Sequence, residues 1–287
     1  MSKIIDLIQA NPTVIVALSV VLVIIIAWFV ITKFTKIKFN DFNTLTWALI
    51  PVAIAINIAI GQIVVTLKLP VYLDSIGTVL VAVICGPWAG AVTGTLSNVI
   101  WGLTLDPNAF PWWPVAFFIG FVAGWCAKFG LFKRWSRIAV AGFLVALTAA
   151  IVSTPIGVFI YGGITASGSS FITAYLLQTG QGVWQAVFST NFLVEPVDKI
   201  STAFLAAIII QGLPKRYLAR FPQPENGQME SDSYATIVAD ISIVALIVVF
   251  AAYLSGIMPY ELAILLLAAE MVIIVSTILR TFGYTPK

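Results

Sequence analysis

Apolar residues run along this chain in blocks of about twenty, parted by short polar clusters. Blocks of that length fit helices crossing a ~30 Å hydrocarbon layer. They fall near residues 13–33, 44–67, 112–131, 138–161, 196–213, 236–257 and 260–280. A further stretch, Ser75 to Leu105, carries no charge and as one helix would be about 46 Å long, too long for a single upright span. Gly86-Pro87 interrupts it, because proline cannot continue the ladder of a preceding helix. Two spans, 72–85 and 88–105, are the reading this favours.

Charge placement supports the same division. Lysine and arginine gather at Lys33, Lys36 and Lys38; at Lys128, Lys133, Arg134 and Arg137; at Lys215, Arg216 and Arg220; and at Arg280 and Lys287. With two spans between 72 and 105, all four clusters fall on one side, as the preference of basic residues for cytoplasmic loops requires. The expected fold is therefore an all-α integral membrane protein of about nine transmembrane helices, N-terminus outside and C-terminus cytoplasmic. It divides into an N-terminal helix (1–40), a six-helix core (41–216), a cytoplasmic linker (217–235) and a two-helix extension (236–287). Residues 162–191, rich in Gly, Ser, Thr and Gln, are expected to form a partly helical cap on the outer side.

Composition removes several alternatives. The chain is 60% hydrophobic and 9% charged, too little polar surface for a water-soluble domain. The first apolar block is too long for a signal-peptide core and lacks a small-residue cleavage site, so it reads as a retained span. There is no histidine, the commonest general base and metal ligand. Cys85 and Cys126 belong to no CxxC pair, and no phosphate-binding glycine loop or nucleophile elbow is present. The expectation is a protein that is not an enzyme, without cofactor or metal, whose ATP, if it needs any, is held by another subunit. No basic patch interleaved with aromatics points to nucleic acid.

Three groups of residues could carry chemistry. Glu195, Asp198 and Lys199 follow an uncharged run from Ile138 to Val194. Glu195 and Lys199 are spaced for a helical i,i+4 ion pair, which leaves Asp198 without an obvious local partner. Charges at such depth face a protein interior or a wet cavity; an ion pair that fixes the helix and a polar ligand site both fit. Gly86, Gly90, Gly94, Asn98 and Gly102 recur at steps of four, a ridge that suits tight packing within the protein or against a partner's helix. Asn98, with Trp101 three residues on, fits either a ligand contact or an interhelical bond. Asp74, Asp106, Asn108, Trp112, Trp113, Gln178, Gln181, Trp184 and Asn191 point to the same outer side, where tryptophans also serve as interfacial anchors. The substrate-site candidates are Asp74, Asn98, Trp101, Asn191, Glu195, Asp198 and Lys199. Glu270 lies mid-span and Asp240 one turn inside the preceding span; interhelical bonding and proton coupling are the alternatives for them.

The strings "YLDSIGTVLVAVICGPWAGAVTGTLSNVIWGL" and "EPVDKISTAFLAAIIIQGLPKR" resemble the substrate-binding S components of energy-coupling factor transporters, over about residues 44–216. The resemblance implies a six-helix module in a bacterial plasma membrane that captures a vitamin-like micronutrient in an outward-facing pocket. It also implies docking on a transmembrane coupling protein driven by two ATPase subunits. In that family an alanine repeat on the first helix meets the coupling protein; Ala55 and Ala59 match it, with the ridge of Gly86, Gly90 and Gly94 as the other docking candidate. Three additional spans depart from the family plan. A membrane sensor or assembly subunit built on the same module, and a solitary proton-coupled carrier resting on Glu270, are the competing functions. Acidic groups beside tryptophans suit a cationic aromatic compound, while Lys199 could equally hold an anion.

Overall fold

A computed structural model describes residues 42–229. The spans expected at 13–33, 236–257 and 260–280, the basic clusters at 33–38 and 280–287, Asp240 and Glu270 lie outside them. The described residues are helical, without strands: α1 (Thr44–Thr66), α2 (Ile76–Cys85), α3 (Pro87–Thr104), α4 (Trp113–Lys128), α5 (Trp135–Tyr161), α6 (Ser170–Gln178) and α7 (Val183–Gly212). A 3₁₀ turn, Pro107–Trp112, leads into α4, and single turns at Lys215–Leu218 and Pro224–Gly227 follow α7. Among the described residues three stretches are long and apolar enough to cross a membrane: Thr44–Thr66, Pro107–Lys128 and Trp135–Tyr161. The described part of the chain is thus all-helical and that of a membrane protein, and these stretches account for part of the expected span count.

Helix α1 opens on Asn43, whose Oδ1 accepts from the Thr46 amide at 2.8 Å, satisfying one of the donors a helix start leaves free. Its inward stripe is Ile50, Ala53, Ile54, Asn57, Gly61 and Val64, at steps of three and four. The opposite face leaves Trp47, Val52, Ile63 and Leu67 exposed, the surface expected to meet lipid.

Every residue of α2 is buried. At about 15 Å it does not span alone; it packs against α1, α3, α4 and α7. Asn57 on α1 fixes its start, accepting from the Gly77 amide at 2.7 Å and donating to Thr78 Oγ1 at 2.8 Å and to Ser97 Oγ of α3 at 2.9 Å. One amide therefore joins three helices. The end of α2 is Gly86, at φ 112°, a conformation that needs glycine, and Pro87 starts α3 at a position where its missing N–H costs nothing. The segment after α7 returns to close this end: the Gln223 amide donates to Ile84 O at 3.0 Å, and Asn226 Nδ2 to Val83 O at 3.3 Å.

The glycine ridge of α3 is spent inside the protein. A Cβ on Gly90 would lie 2.8 Å from Gly120 O, and one on Gly94 2.2 Å from Ala116 O, so α3 and α4 cross backbone to backbone. Gly86, Gly90 and Gly94 are buried and unavailable to a partner's helix. Helices α5 and α7 make a second close pair, where a Cβ on Gly142 would lie 2.6 Å from Ile200 Cα. Trp135 at the start of α5 stacks on Phe204 of α7, so the basic residues 128–137 and 215–220 lie at one end of the bundle.

Two expected boundaries move. The span placed at 196–213 is the second half of α7, which begins at Val183 and passes Pro196. The cap is correspondingly smaller: a loop from Gly162 to Ser169, helix α6 and the turn to Gly182. The stretch "WQAVFSTN" belongs to α7, with one face buried at Ala186, Val187, Thr190 and Asn191 and the other exposed at Gln185 and Phe188.

Candidate functional site

At the end of the bundle opposite the basic clusters lies a cavity of about 130 Å³. Along α7 its wall runs from Val187 to Lys199, about 18 Å of helix, so it reaches well into the bundle. Of the seven substrate-site candidates, Asp74, Asn98, Trp101, Asn191, Glu195 and Lys199 line it, as do Asp106, Asn108 and Trp112. Asp198 does not. Trp113 is 41% exposed, and Gln178, Gln181 and Trp184 lie off the cavity, Trp184 packing edge-on against Phe159.

The charged floor holds the i,i+4 pair that spacing suggests and adds two further acids to it. Lys199 hydrogen-bonds Asp198 Oδ2 and has Glu195 Oε2 at 3.6 Å and Asp74 Oδ1 at 3.7 Å. Asp198 is the best-partnered of the acids. Its Oδ1 accepts from the Tyr72 and Leu73 amides at 2.8 and 2.7 Å, pinning the α1–α2 connection, where Leu73 sits at φ 50°. Spacing within α7 could not reveal this because the partners are 125 and 126 residues away in sequence.

Glu195 is in the opposite position. It is 3% exposed, and its Oε2 has no hydrogen-bond partner among the described residues. Asn98, 5% exposed, also lines the cavity without a side-chain hydrogen bond among the described residues. Asn191 uses its amide N–H on Thr154 Oγ1 at 3.1 Å, which leaves its carbonyl for the cavity.

Aromatic rings supply the rest of the wall. Trp101 donates from Nε1 to Gln62 Oε1 at 2.8 Å and lies against Gly61, where a Cβ would meet its ring at 2.7 Å. Trp112 and Tyr161 stack with centroids 5.3 Å apart, and the Tyr161 hydroxyl donates to Asn108 O at 2.7 Å. The Tyr72 ring lies 5.6 Å from Lys199 Nζ.

One part of the site has only a faint trace in the sequence. Thr165, Ser167 and Ser169, in the loop before α6, and Ser170, its first residue, line the cavity and bond to one another at 2.7–2.8 Å. Ser169 reaches the Tyr72 hydroxyl at 3.0 Å, and Lys68 Nζ donates to Ala166 O at 2.6 Å. Gly168 meets the Lys68 and Leu69 carbonyls where any side chain would clash. Two loops distant in sequence are thereby joined beside the cavity.

Comparison with protein-family models, with curated proteins and with solved structures returned no match. Among the described residues, no group of three or more acidic, histidine or cysteine side chains is placed to hold a metal ion.

Proposed function

We propose that this chain is a membrane-embedded substrate-capture subunit of an ATP-driven importer, of the kind the S components of energy-coupling factor transporters represent. The observation that carries the reading is the cavity itself, into which Glu195 presents a buried carboxylate oxygen without a hydrogen-bond partner among the described residues, with the side chain of Asn98 in the same wall. Burying such a group costs about 1–3 kcal/mol, a cost that a bound polar ligand would offset. Enclosed pockets with aromatic walls and a few convergent polar groups are the usual form of small-molecule sites. The basic residues at the opposite end favour an orientation with that end cytoplasmic and the cavity facing outward.

In this reading the protein binds but does not transform its substrate, and transport energy comes from a transmembrane coupling protein with two ATPase subunits. Ala55 and Ala59 are exposed on α1, a small-residue strip open to a partner's helix. The test is thermal unfolding of the purified full chain against a broad panel of metabolites, with native mass spectrometry of whatever co-purifies. Stabilisation by one micronutrient at micromolar concentration, without ATP, supports capture. A chain that binds nothing, and co-purifies with a kinase or envelope enzyme, is a sensor instead.

A further inference from the structure

The charges at the cavity do not balance. Asp74, Asp106 and Glu195 line it and Asp198 lies behind it, against Lys199 as the ammonium in its wall. Lys199 is already engaged by Asp198, and no other basic residue among those described lines the cavity. Lys68 points to Ala166 O instead. Glu195 thus faces the cavity with one oxygen free of hydrogen bonds and only a shared counter-charge, in a position where an unneutralised carboxylate is costly.

From this geometry we infer that the ligand is a compact organic cation: a protonated or quaternary nitrogen seated between Glu195 and Asp74, on a body of about one ring. The inference rests on the capture reading and narrows its substrate class. The positive centre supplies the charge that Lys199 cannot, and the aromatic walls Trp101, Trp112 and Tyr72 suit a cation better than an anion, because ring faces are electronegative. Asn98 and the Asn191 carbonyl provide directional polar contacts for the ring substituents. Size follows from volume, since an engineered apolar cavity of about 150 Å³ accommodates benzene and this one is about 130 Å³. A metal ion fits less well, because among the described residues no group of three or more acidic, histidine or cysteine side chains is placed to coordinate one, whereas an organic cation needs no such shell.

Three probes of equal size and different charge test the assignment: benzylammonium, benzyl alcohol and benzoate, each titrated into the purified full chain with thermal unfolding and tryptophan fluorescence as readouts. Benzylammonium should stabilise the protein at concentrations where the other two do not. Glu195→Gln should weaken its binding by at least about tenfold, the change that ~1.4 kcal/mol of lost attraction produces. Should that variant fail to fold, Asp74→Asn, at a side chain 27% exposed, should weaken binding in the same direction. Preferential binding of benzoate, or equal binding of benzyl alcohol, overturns the cation assignment while leaving capture intact. If no probe binds, the charge of the co-purifying molecule decides: a cation upholds the assignment, and a neutral or anionic molecule refutes it. If nothing co-purifies and no metabolite stabilises the chain, both readings fall together.

Discussion

Replacing Asp198 separates two jobs that the side chain performs at once. Asp198→Asn keeps an Oδ1 that can accept from Tyr72 and Leu73 but removes the charge opposite Lys199, whose side chain is 2% exposed. Breaking a buried ion pair from one side costs ~3–5 kcal/mol, and Glu195 at 3.6 Å and Asp74 at 3.7 Å remain as counter-charges. The low end, about 3 kcal/mol, is therefore expected. Asp198→Ala loses the charge and also strands the two amides, adding about 2–3 kcal/mol. At roughly 2–4 °C per kcal/mol for a unit of this size, the asparagine variant should melt about 6–12 °C below the parent and the alanine variant clearly lower again. Thermal unfolding of both proteins in the same detergent provides the comparison. Identical melting points for the two variants would refute the loop-pinning role, and an unchanged melting point for Asp198→Asn would refute the ion pair.

Asn57→Ala removes three buried hydrogen bonds and should cost about 2–4 kcal/mol at ~0.5–1.5 each, read in the same melting assay. Gly94→Val forces a side chain onto Ala116 O and should cost at least the ~1–3 kcal/mol typical of overpacking. Ala55→Leu with Ala59→Leu, both on an exposed face, should leave the melting point within about 1 °C yet abolish co-purification with a coupling protein; retained co-purification would move the docking surface elsewhere. Cys85 and Cys126 are both buried free thiols, so maleimide should label them only after denaturation, and rapid labelling of the folded chain would contradict their packing.

The helices were legible because hydropathy in a membrane chain reports environment directly, and the break at Gly86-Pro87 was legible because both residues prescribe backbone geometry. The distance along the helix from Lys199 to Lys215 marked Glu195, Asp198 and Lys199 as lying away from water, and all three are buried. The i,i+4 pair of Glu195 with Lys199 was legible too, but the partners of Asp198 were not, since two of them are backbone amides of a loop more than a hundred residues distant. Asn57 carries no signal of its own, because a lone amide in an apolar block looks like tolerated polarity until its three partners are placed around it. The serine-rich loop reads as a connector because hydroxyl runs are common in connectors, and only the fold brings it against Tyr72. Gly90 and Gly94 mark a close helix crossing, but periodicity alone could not tell a crossing with α4 from one with another protein.

The return of residues 223–226 to the carbonyls of Val83 and Ile84 sets a practical limit on dissecting the protein. A chain cut at 216, where the apolar core ends, would leave the inner rod of the bundle with raw acceptors at its lower tip and a hole where Phe221, 3% exposed, had been. The smallest piece worth expressing alone therefore extends to about residue 229, and a fusion partner is better joined beyond that point than at the last turn of α7.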